Sequence, residues 1–504
     1  MSDSRVRLVA RVLAGLARQE VRQRRAGARY PDGSVPLGGY WRPRAIRAAF
    51  EELGPFYTKV GQILSTRPDL VPEPIRLELG KLHDQVTPAP FAHFEPVLSA
   101  ELGASWRGLL RDVDVSAPLG AASLAQVYRA TLHNGRPVVV KVQRPGVRDI
   151  VRADMRILRR AVRLAGRCAP RFATVMDLDA MLGIVYEAME PELDFCVEAA
   201  NMEKGRDTLD RYPALDVPEV LHATPRVLIQ SLAPGQSIRD AKWRDFSTEE
   251  RLGIGRDLLA WSLRGYFVDR FFHADPHPGN IFVHPGEPAS IIDWGMVGTV
   301  DRHLSLALMQ SLLGIVVNDA PAAARGWTEM GRTTPWTQAK AFAGDLANIV
   351  PRVRTASLED LDFGATLATV LRRSTKRGIA TSPMIAILSK SFANMEGSVR
   401  YLAPELGIVD IFRDELAGIL CDLVRESLSE AQAAQAVVET LLVTSSGADQ
   451  ARVVLRDLAN KDLTLHIRSS QLGGSSLRSP AFVLGAAAFL LWITRDRRTP
   501  CIHD

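Results

Sequence analysis

Apolar and polar positions along this chain change period several times. Over residues 5–29, Val6, Val9, Leu13, Leu16 and Val21 recur at roughly helical spacing in a basic, acid-poor stretch. They predict an amphipathic helix, seated either on a membrane surface or against the next domain, without the continuous apolar core of a signal peptide. Residues 30–43 hold several Gly and Pro and read as a loop. Phe56, Val60, Ile63 and Leu64 predict a helix with Lys59 and Gln62 on one face. Pro68, Pro72 and Pro74 end it, and 75–82 reads as another helix. From Pro118 the period becomes that of strands: 119–123 is a small-residue loop, Asn134-Gly135 a hairpin turn, and 137–142 the returning strand. Residues 149–170 and 177–205 read as helices, 217–220 and 226–231 as strands, and Pro234-Gly235 as a linker. Residues 281–283 and 290–292 are short strands around a Pro285-Gly286 turn. After Asp301 the pattern is helical to about Ile467, with runs at 304–317, 337–350, 384–395 and 430–442, and reads as scaffold with no catalytic constellation. The chain closes on a Gly/Ser-rich stretch (472–480), an uncharged, mostly apolar run of fourteen (481–494), and Arg495, Arg497 and Arg498.

Residues 271–298 organise the rest. Asp275 and Asn280 stand five apart where Pro276, Pro278 and Gly279 prevent a helix. Asp293 ends the second short strand, and Gly295 lets the chain turn sharply after that carboxylate. Such a β-hairpin brings two carboxylates and an amide oxygen to one edge. These are hard ligands of the kind Mg²⁺ takes when it is shared with phosphates. Phosphoryl transfer in protein kinases uses the same order: a loop Asp, an Asn five residues on, and an Asp-x-Gly after a strand. For either acid alone the alternative is a solvated carboxylate beside a turn. His273, Asp275, His277 and His284 make up a further alternative, a zinc hydrolase, which the adjacent prolines and Asp293 disfavour.

Composition changes this picture in two places. At 504 residues there is room for two or three domains, and 62 Lys+Arg against 57 Asp+Glu leave only +5. That is too mild for a nucleic-acid surface, and no basic cluster is interleaved with aromatics, so no nucleic-acid partner is expected. The four cysteines are far apart, against a disulfide framework or a cysteine zinc site. Only nine of the 62 basic residues are Lys, so a Lys in an apolar setting carries weight, Arg and Lys being unequal phosphate partners. Lys141, among four valines, is such a residue. Kinases place a strand lysine under a small-residue loop to reach the phosphates of ATP, although this loop is alanine-rich where they have G-x-G-x-x-G. Lys59, by spacing alone, reads as readily as an exposed helical lysine. Glu192, Asp194 and Glu198 fall where a kinase keeps the glutamate that pairs with the strand lysine; a solvated helix face is the alternative.

Several of these motifs, in register, resemble the UbiB family, the AarF-like atypical kinases, over about residues 44–300 and more loosely beyond. The most specific is K-x-G-Q, here Lys59-Val60-Gly61-Gln62, followed by Ser65, Arg67, Asp69 and Leu70. Ala121-Ala122-Ser123 with Gln126-Val127, Glu192 and Asp194 ahead of Glu198, and the D-P-H-P-G-N loop follow in family order. The resemblance implies an α+β, bilobal protein-kinase-like fold with an N-terminal helical K-x-G-Q extension and a mostly helical C-lobe. Its parts would be a basic helix and loop (1–43), the extension (44–115), the N-lobe (116–232), the C-lobe with catalytic and metal loops (233–470), and a linker and apolar tail (471–504). It implies ATP and Mg²⁺ as cofactors. Ala121, Ala122 and Ser123 would lie over the nucleotide, Lys141 would contact its phosphates and pair with Glu198, Asn280 and Asp293 would hold the metal, and Asp275 would be the catalytic-loop aspartate. Lys59 and Gln62, latched through Glu192 and Asp194, would fill the space where ordinary kinases admit a peptide.

The activity so implied is a Mg²⁺-dependent ATPase or atypical kinase, bacterial, supporting ubiquinone, menaquinone or related lipid metabolism. Its partners would be membrane lipid or a quinone precursor and biosynthetic enzymes. The setting would be the cytoplasmic side of the inner or plasma membrane, with 481–494 as anchor, although fourteen residues fall short of the ~20 that span a bilayer. A nucleotide-binding scaffold without turnover and a phosphotransferase onto a small molecule or protein are the other readings. Three positions depart from the family: Gly120 for the first alanine of A-A-A-S, Trp294 for the Phe of Asp-Phe-Gly, whose indole N–H needs a partner if buried, and Ser231 where the hinge often has Glu.

Overall fold

The computed structural model describes residues 2–27, 41–65, 71, 73–82, 87–103, 106–168, 186, 189–334, 336–354, 363–380 and 382–427. Residues 1–412 form one compact unit and 413–504 a second; the first carries everything below except residues 413–427, the end of the last described helix. The apolar run 481–494, the predicted helix 430–442, and Arg67, Asp69 and Leu70 lie outside the described residues. Among the described residues no helix is long and apolar enough to cross a membrane.

Five helices come first: α1 (Ser2–Gly27), α2 (Trp41–Leu53), α3 (Pro55–Ser65), α4 (Glu73–Leu79) and α5 (Glu95–Leu102). Only part of the predicted apolar stripe of α1 settles on protein: Val9 and Leu16 pack against a buried cluster, whereas Val6 and Val21 stay exposed. Val12 is buried with Leu53 of α2, Phe56 and Val60 of α3, and Val147 and Val151 of α6 (Val147–Cys168). Arg5 fastens it: the guanidinium meets both carboxylate oxygens of the fully buried Asp154 on α6 and donates to the Leu53 carbonyl at 2.7 Å. Without that partner a carboxylate so placed would be strongly destabilising.

The N-lobe sheet is antiparallel, in the order β1-β3-β4-β7-β6 with β2 on β3. Its strands are β1 (Leu110–Val113), β2 (Gly120–Ala121), β3 (Ala125–Leu132), β4 (Pro137–Gln143), β6 (Val220–Ala223) and β7 (Val227–Ser231). Gly135, at φ +86°, makes the predicted β3–β4 turn. The two-residue period of β4 sorts its side chains: Val138, Val140 and Val142 enter a core with Phe94, Leu98, Trp106 and Tyr128. Lys141, opposite Val127 and Leu228, is left on the other face.

The helix predicted over 177–205 is interrupted: Tyr186 and Met189 are helical, and the chain then leaves the helix. Residues Pro191–Leu193 form one 3₁₀ turn, and Asp194 caps α7 (Phe195–Asp207), accepting the Cys196 N–H at 3.0 Å. A proline followed by an N-cap acid sets that start, and Glu198 alone of the three acids rides on the helix.

The C-lobe is built on α8 (Thr248–Phe267), opened by a Ser247/Glu250 capping box. Beside it run a four-stranded sheet, β5 (Leu215–Asp216), β11 (Ala289–Ile291), β10 (Ile281–Val283) and β8 (Gln236–Ser237), and the pair β9 (Phe271–His273) and β12 (Val297–Thr299). The predicted hairpin is β10–β11, with Ile281 opposite Ile291. Helices α9 (Arg302–Val316), α10 (Ala320–Met330), α11 (Ala339–Ala347), α12 (Val350–Arg354), α13 (Phe363–Lys376), α14 (Pro383–Leu402) and α15 (Ile408–Ser427) follow. The architecture is the α+β, two-lobed, kinase-like one that the resemblance implied.

Candidate active site

Strand β4, helix α7 and the loop after β11 meet at Lys141. Its Nζ donates to both carboxylate oxygens of Glu198, 2.8 Å each, and to Asp293 Oδ1 at 3.0 Å. Burial disfavours the ammonium, but the two carboxylates outweigh it and raise the Lys141 pKa above the ordinary lysine value. Lys141 in turn holds the Asp293 carboxyl well below the usual carboxylate range. One positive charge thus faces two negative ones, and the Asp293 side chain is still 51% exposed. A hard carboxylate in an anionic cluster, open on one side, suits a divalent cation.

Asp293 has φ +60°, a left-handed backbone uncommon outside glycine that Asp and Asn adopt more readily than other side chains. The sharp turn expected at Gly295 falls on the carboxylate-bearing residue itself, because its neighbour is pinned. Trp294 is fully buried, stacked on Phe271 at 6.1 Å and edge-on to Trp261 and His273. Its indole N–H donates to the Ile291 carbonyl at 3.0 Å, so the larger ring at this position has the partner it requires. Asn201 on α7 donates to the Trp294 carbonyl at 3.0 Å. Gly205, one turn further along α7, makes room for the indole: a Cβ there would lie 2.2 Å from the ring. Residues 198, 201 and 205 share one helix face, which therefore holds the lysine and the loop together.

Asp275 follows β9 and is gripped from α14. Lys390 donates to Oδ2 at 2.8 Å and Asn394 to Oδ1. Ser391 and Ser398 of the same helix donate to the carbonyls of His273 (2.7 Å) and Pro276 (2.8 Å). Burial opposes the Asp275 charge, but Lys390 prevails and the pKa lies below the usual value. Asn280 Nδ2 donates to the Asp275 carbonyl at 3.1 Å, which leaves its Oδ1 as the hard ligand atom. His273 is used on both sides: Nδ1 accepts the Asp275 N–H (3.1 Å) and Nε2–H donates to the Ile292 carbonyl (3.2 Å). Burial lowers its pKa and keeps it neutral. His277 Nδ1 accepts the Gly279 N–H at 2.9 Å. A zinc site could draw on His273 only by breaking the loop's own hydrogen bonds.

Helix α14 corrects the reading of the C-terminal half as scaffold alone. The signal was present: Lys390 is one of nine lysines and sits in Ile-Ala-Ile-Leu-Ser-Lys-Ser-Phe, the kind of apolar setting that singled out Lys141.

The extension reaches the same cleft. Lys59 Nζ pairs with Glu192 at 2.5 Å, both nearly buried, and its charge acts on Asp275 and Asp293, lowering the pKa of each. Gly61 allows the approach: a Cβ would lie 2.3 Å from Leu82 Cδ1 and 2.7 Å from Phe50 Cδ2. Gln62 donates to the Leu82 carbonyl at 3.3 Å, and Asp194 caps α7, so these two hold the frame around Lys59.

In the alanine-rich loop, Gly120 and Ala121 pair with Val127 and Gln126, and Ser123 is buried. The Ala122 carbonyl accepts Arg144 Nε at 2.7 Å, a contact with no signal in spacing. Gly120 has open space where a Cβ would stand, so the family's alanine would fit. Ser231 Oγ accepts the Glu219 N–H at 2.9 Å.

Residues 81–325 match the ABC1 atypical kinase-like domain. The chain is 34% identical over 384 residues to the probable protein kinase UbiB of Aeromonas hydrophila, covering 73% of this chain and 69% of that one. It is 34% identical over 376 residues to the namesake from Azotobacter vinelandii, covering 73% and 70%. Among solved structures, Rv3197 of Mycobacterium tuberculosis, in complex with erythromycin, aligns over 79% of this chain and 97% of its own at 23% identity with a TM-score of 0.51, a likeness of fold.

Proposed function

We propose that this chain, which belongs to the UbiB family of ABC1 atypical kinase-like proteins, is a Mg²⁺-dependent ATPase or atypical kinase supporting isoprenoid-quinone or related lipid metabolism at the membrane. One observation carries the reading: a single ammonium, Lys141, lies 2.8 Å from Glu198 and 3.0 Å from Asp293, joining strand, helix and metal-type loop at one charge. The donor set fits the cofactors, since Asn280 Oδ1 and the Asp293 carboxylate are hard oxygens. Two protein ligands leave room for phosphate and water. Bound there, Mg²⁺ would neutralise phosphate charge and ATP would supply the phosphoryl group, with ADP leaving, for an in-line displacement.

The chain's own residues do the rest. Lys141 contacts phosphate oxygens, oriented by Glu198. Ala121, Ala122 and Ser123 let backbone come close to them. Asp275, its pKa held low and its rotamer fixed by Lys390 and Asn394, orients the attacking oxygen rather than storing its proton, which a loose transition state permits. Lys59 and Glu192 obstruct the approach of a protein acceptor and favour water or a small molecule. The quinone pathway and the membrane setting rest on family membership.

The test is MgATP binding and turnover by the full chain, with and without lipid vesicles and a quinone-precursor phenol, beside Asp293→Asn. Turnover that disappears in Asp293→Asn supports the reading. Binding without turnover under every condition makes the chain a nucleotide-binding scaffold, and no MgATP binding overturns the site.

A further inference from the structure

Behind Asp275, on the far side of α14, the C-lobe holds a partly open cavity of about 150 Å³. Its wall is hydrocarbon: Ile385, Leu388 and Phe392 of α14, Leu312 of α9 and Trp327 of α10. Three of the polar side chains there are turned into the protein. Ser311 donates to the Ala323 carbonyl at 3.1 Å, Ser389 to the Ile385 carbonyl at 2.6 Å, and the Tyr266 hydroxyl meets Ser391 Oγ at 3.0 Å. Water needs two or more polar partners to settle in such a space, whereas a dry cavity of this size lined by Leu, Ile and Phe accommodates a benzene-sized molecule. Leu312 and Ile315 keep part of their surface exposed, so the wall reaches the outside there.

The cavity and the candidate active site share a helix. Residues 385, 388 and 392 of α14 face the cavity, while Lys390, Ser391, Asn394 and Ser398 hold the 273–276 loop. A second link runs through Tyr266, whose ring lines the cavity and whose hydroxyl meets Ser391, the residue that donates to the His273 carbonyl. We infer that this cavity is a binding site for an uncharged aromatic or branched hydrocarbon group, and that its filling steadies α14 and the Asp275 loop. A role for that steadying in turnover rests on the function proposed above; the binding site does not.

Toluene is the probe for a free small molecule and farnesol for a chain end, each added to the full-length protein, to Ser389→Phe and to Leu312→Trp. The two substitutions fill the cavity from opposite walls, so a folding failure in one leaves the other. Toluene should raise the thermal midpoint of the parent by a few degrees and leave both filled variants unmoved. Amide hydrogen exchange at 274–277 in the parent should slow severalfold. The same effect from farnesol assigns the site to lipid chains; from toluene alone, to free small molecules. No shift in the parent with either probe, or equal shifts in the filled variants, overturns the site. Binding with unchanged exchange at 274–277 overturns the coupling. MgATP binding, measured separately, reports on the nucleotide site and not on this one.

Discussion

Gly205→Ala is the most discriminating single change in this molecule. An alanine Cβ at that position would stand 2.2, 2.5 and 2.6 Å from Trp294 Cη2, Cζ3 and Cζ2, and ordinary contact begins at 3.4 Å. The ring must therefore retreat by 3.4 − 2.2, or about 1.2 Å, into a site already packed by Phe271, Trp261 and His273. Overpacking of this kind costs about 1–3 kcal/mol. Against it stands about 1 kcal/mol of better helix propensity when Gly becomes Ala within α7. The net expectation is a loss of about 0–2 kcal/mol, together with weaker MgATP binding, because the displaced residue adjoins Asp293.

The sign becomes diagnostic in a double-mutant cycle. All three colliding atoms belong to the outer ring of the indole, which Trp294→Phe removes. In that background Gly205→Ala should stabilise by about 1 kcal/mol, giving a coupling of about 1–3 kcal/mol between the two positions. Urea unfolding of the four proteins measures it. Stabilisation by Gly205→Ala to the same extent in both backgrounds would refute the argument that this glycine exists to admit the tryptophan.

Three further outcomes follow from the same geometry. Lys390→Ala and Asn394→Ala should each lower kcat by about 10²-fold or more while MgATP affinity changes little, since they touch Asp275 and not Lys141 or Asp293; equal losses in both parameters would contradict that division. Gly61→Ala, whose Cβ would meet Leu82 and Phe50 at 2.3 and 2.7 Å, should loosen α3 by about 1–3 kcal/mol and speed limited proteolysis after Ser65, whereas unchanged cleavage would mean that the contact relaxes freely. Acid should destabilise the fold in two stages. His273 has a lowered folded pKa, so the unfolded chain takes up its proton first and stability falls as pH drops below about 6.5. Asp275 and Asp293 also have depressed folded pKa values, so their stabilisation is present above about pH 4 and is lost below it. His273→Gln should remove the upper stage and leave the lower, as read by unfolding midpoints from pH 7 to pH 3.

What could be read in the sequence was whatever rests on local pattern. The alternation of valines around Lys141, the Asn-Gly turn and the proline-interrupted Asp275 loop each fix their own backbone, and the structure has them where the pattern put them. The break before α7 has no signal in the apolar period, which can run through a cap; Pro191 and Asp194 interrupt the helix although the spacing continues. Lys390 and Asn394 act on an aspartate 115 and 119 residues away, a distance no local period encodes, and lysine scarcity was the one clue to the first of them. Gly205 gave no signal, since the reason for a bare Cα there is a ring 89 residues further on. The seat of α1 could not be chosen from its amphipathicity because both surfaces offered to it were apolar; Arg5 meeting a buried Asp154 binds it to protein.

The scarcity of lysine also makes the cleft addressable by amine chemistry. Of the nine lysines, Lys59, Lys81, Lys141 and Lys390 have their ammonium groups engaged by carboxylates at 2.5–3.0 Å, and all of these but Lys81 face the cleft. Acylating reagents attack free, unprotonated amines, and Lys141, its proton held by two carboxylates, is a slow target. The onset of its acylation therefore reports release of Lys141 from Glu198 and Asp293, read as a mass shift on a single peptide.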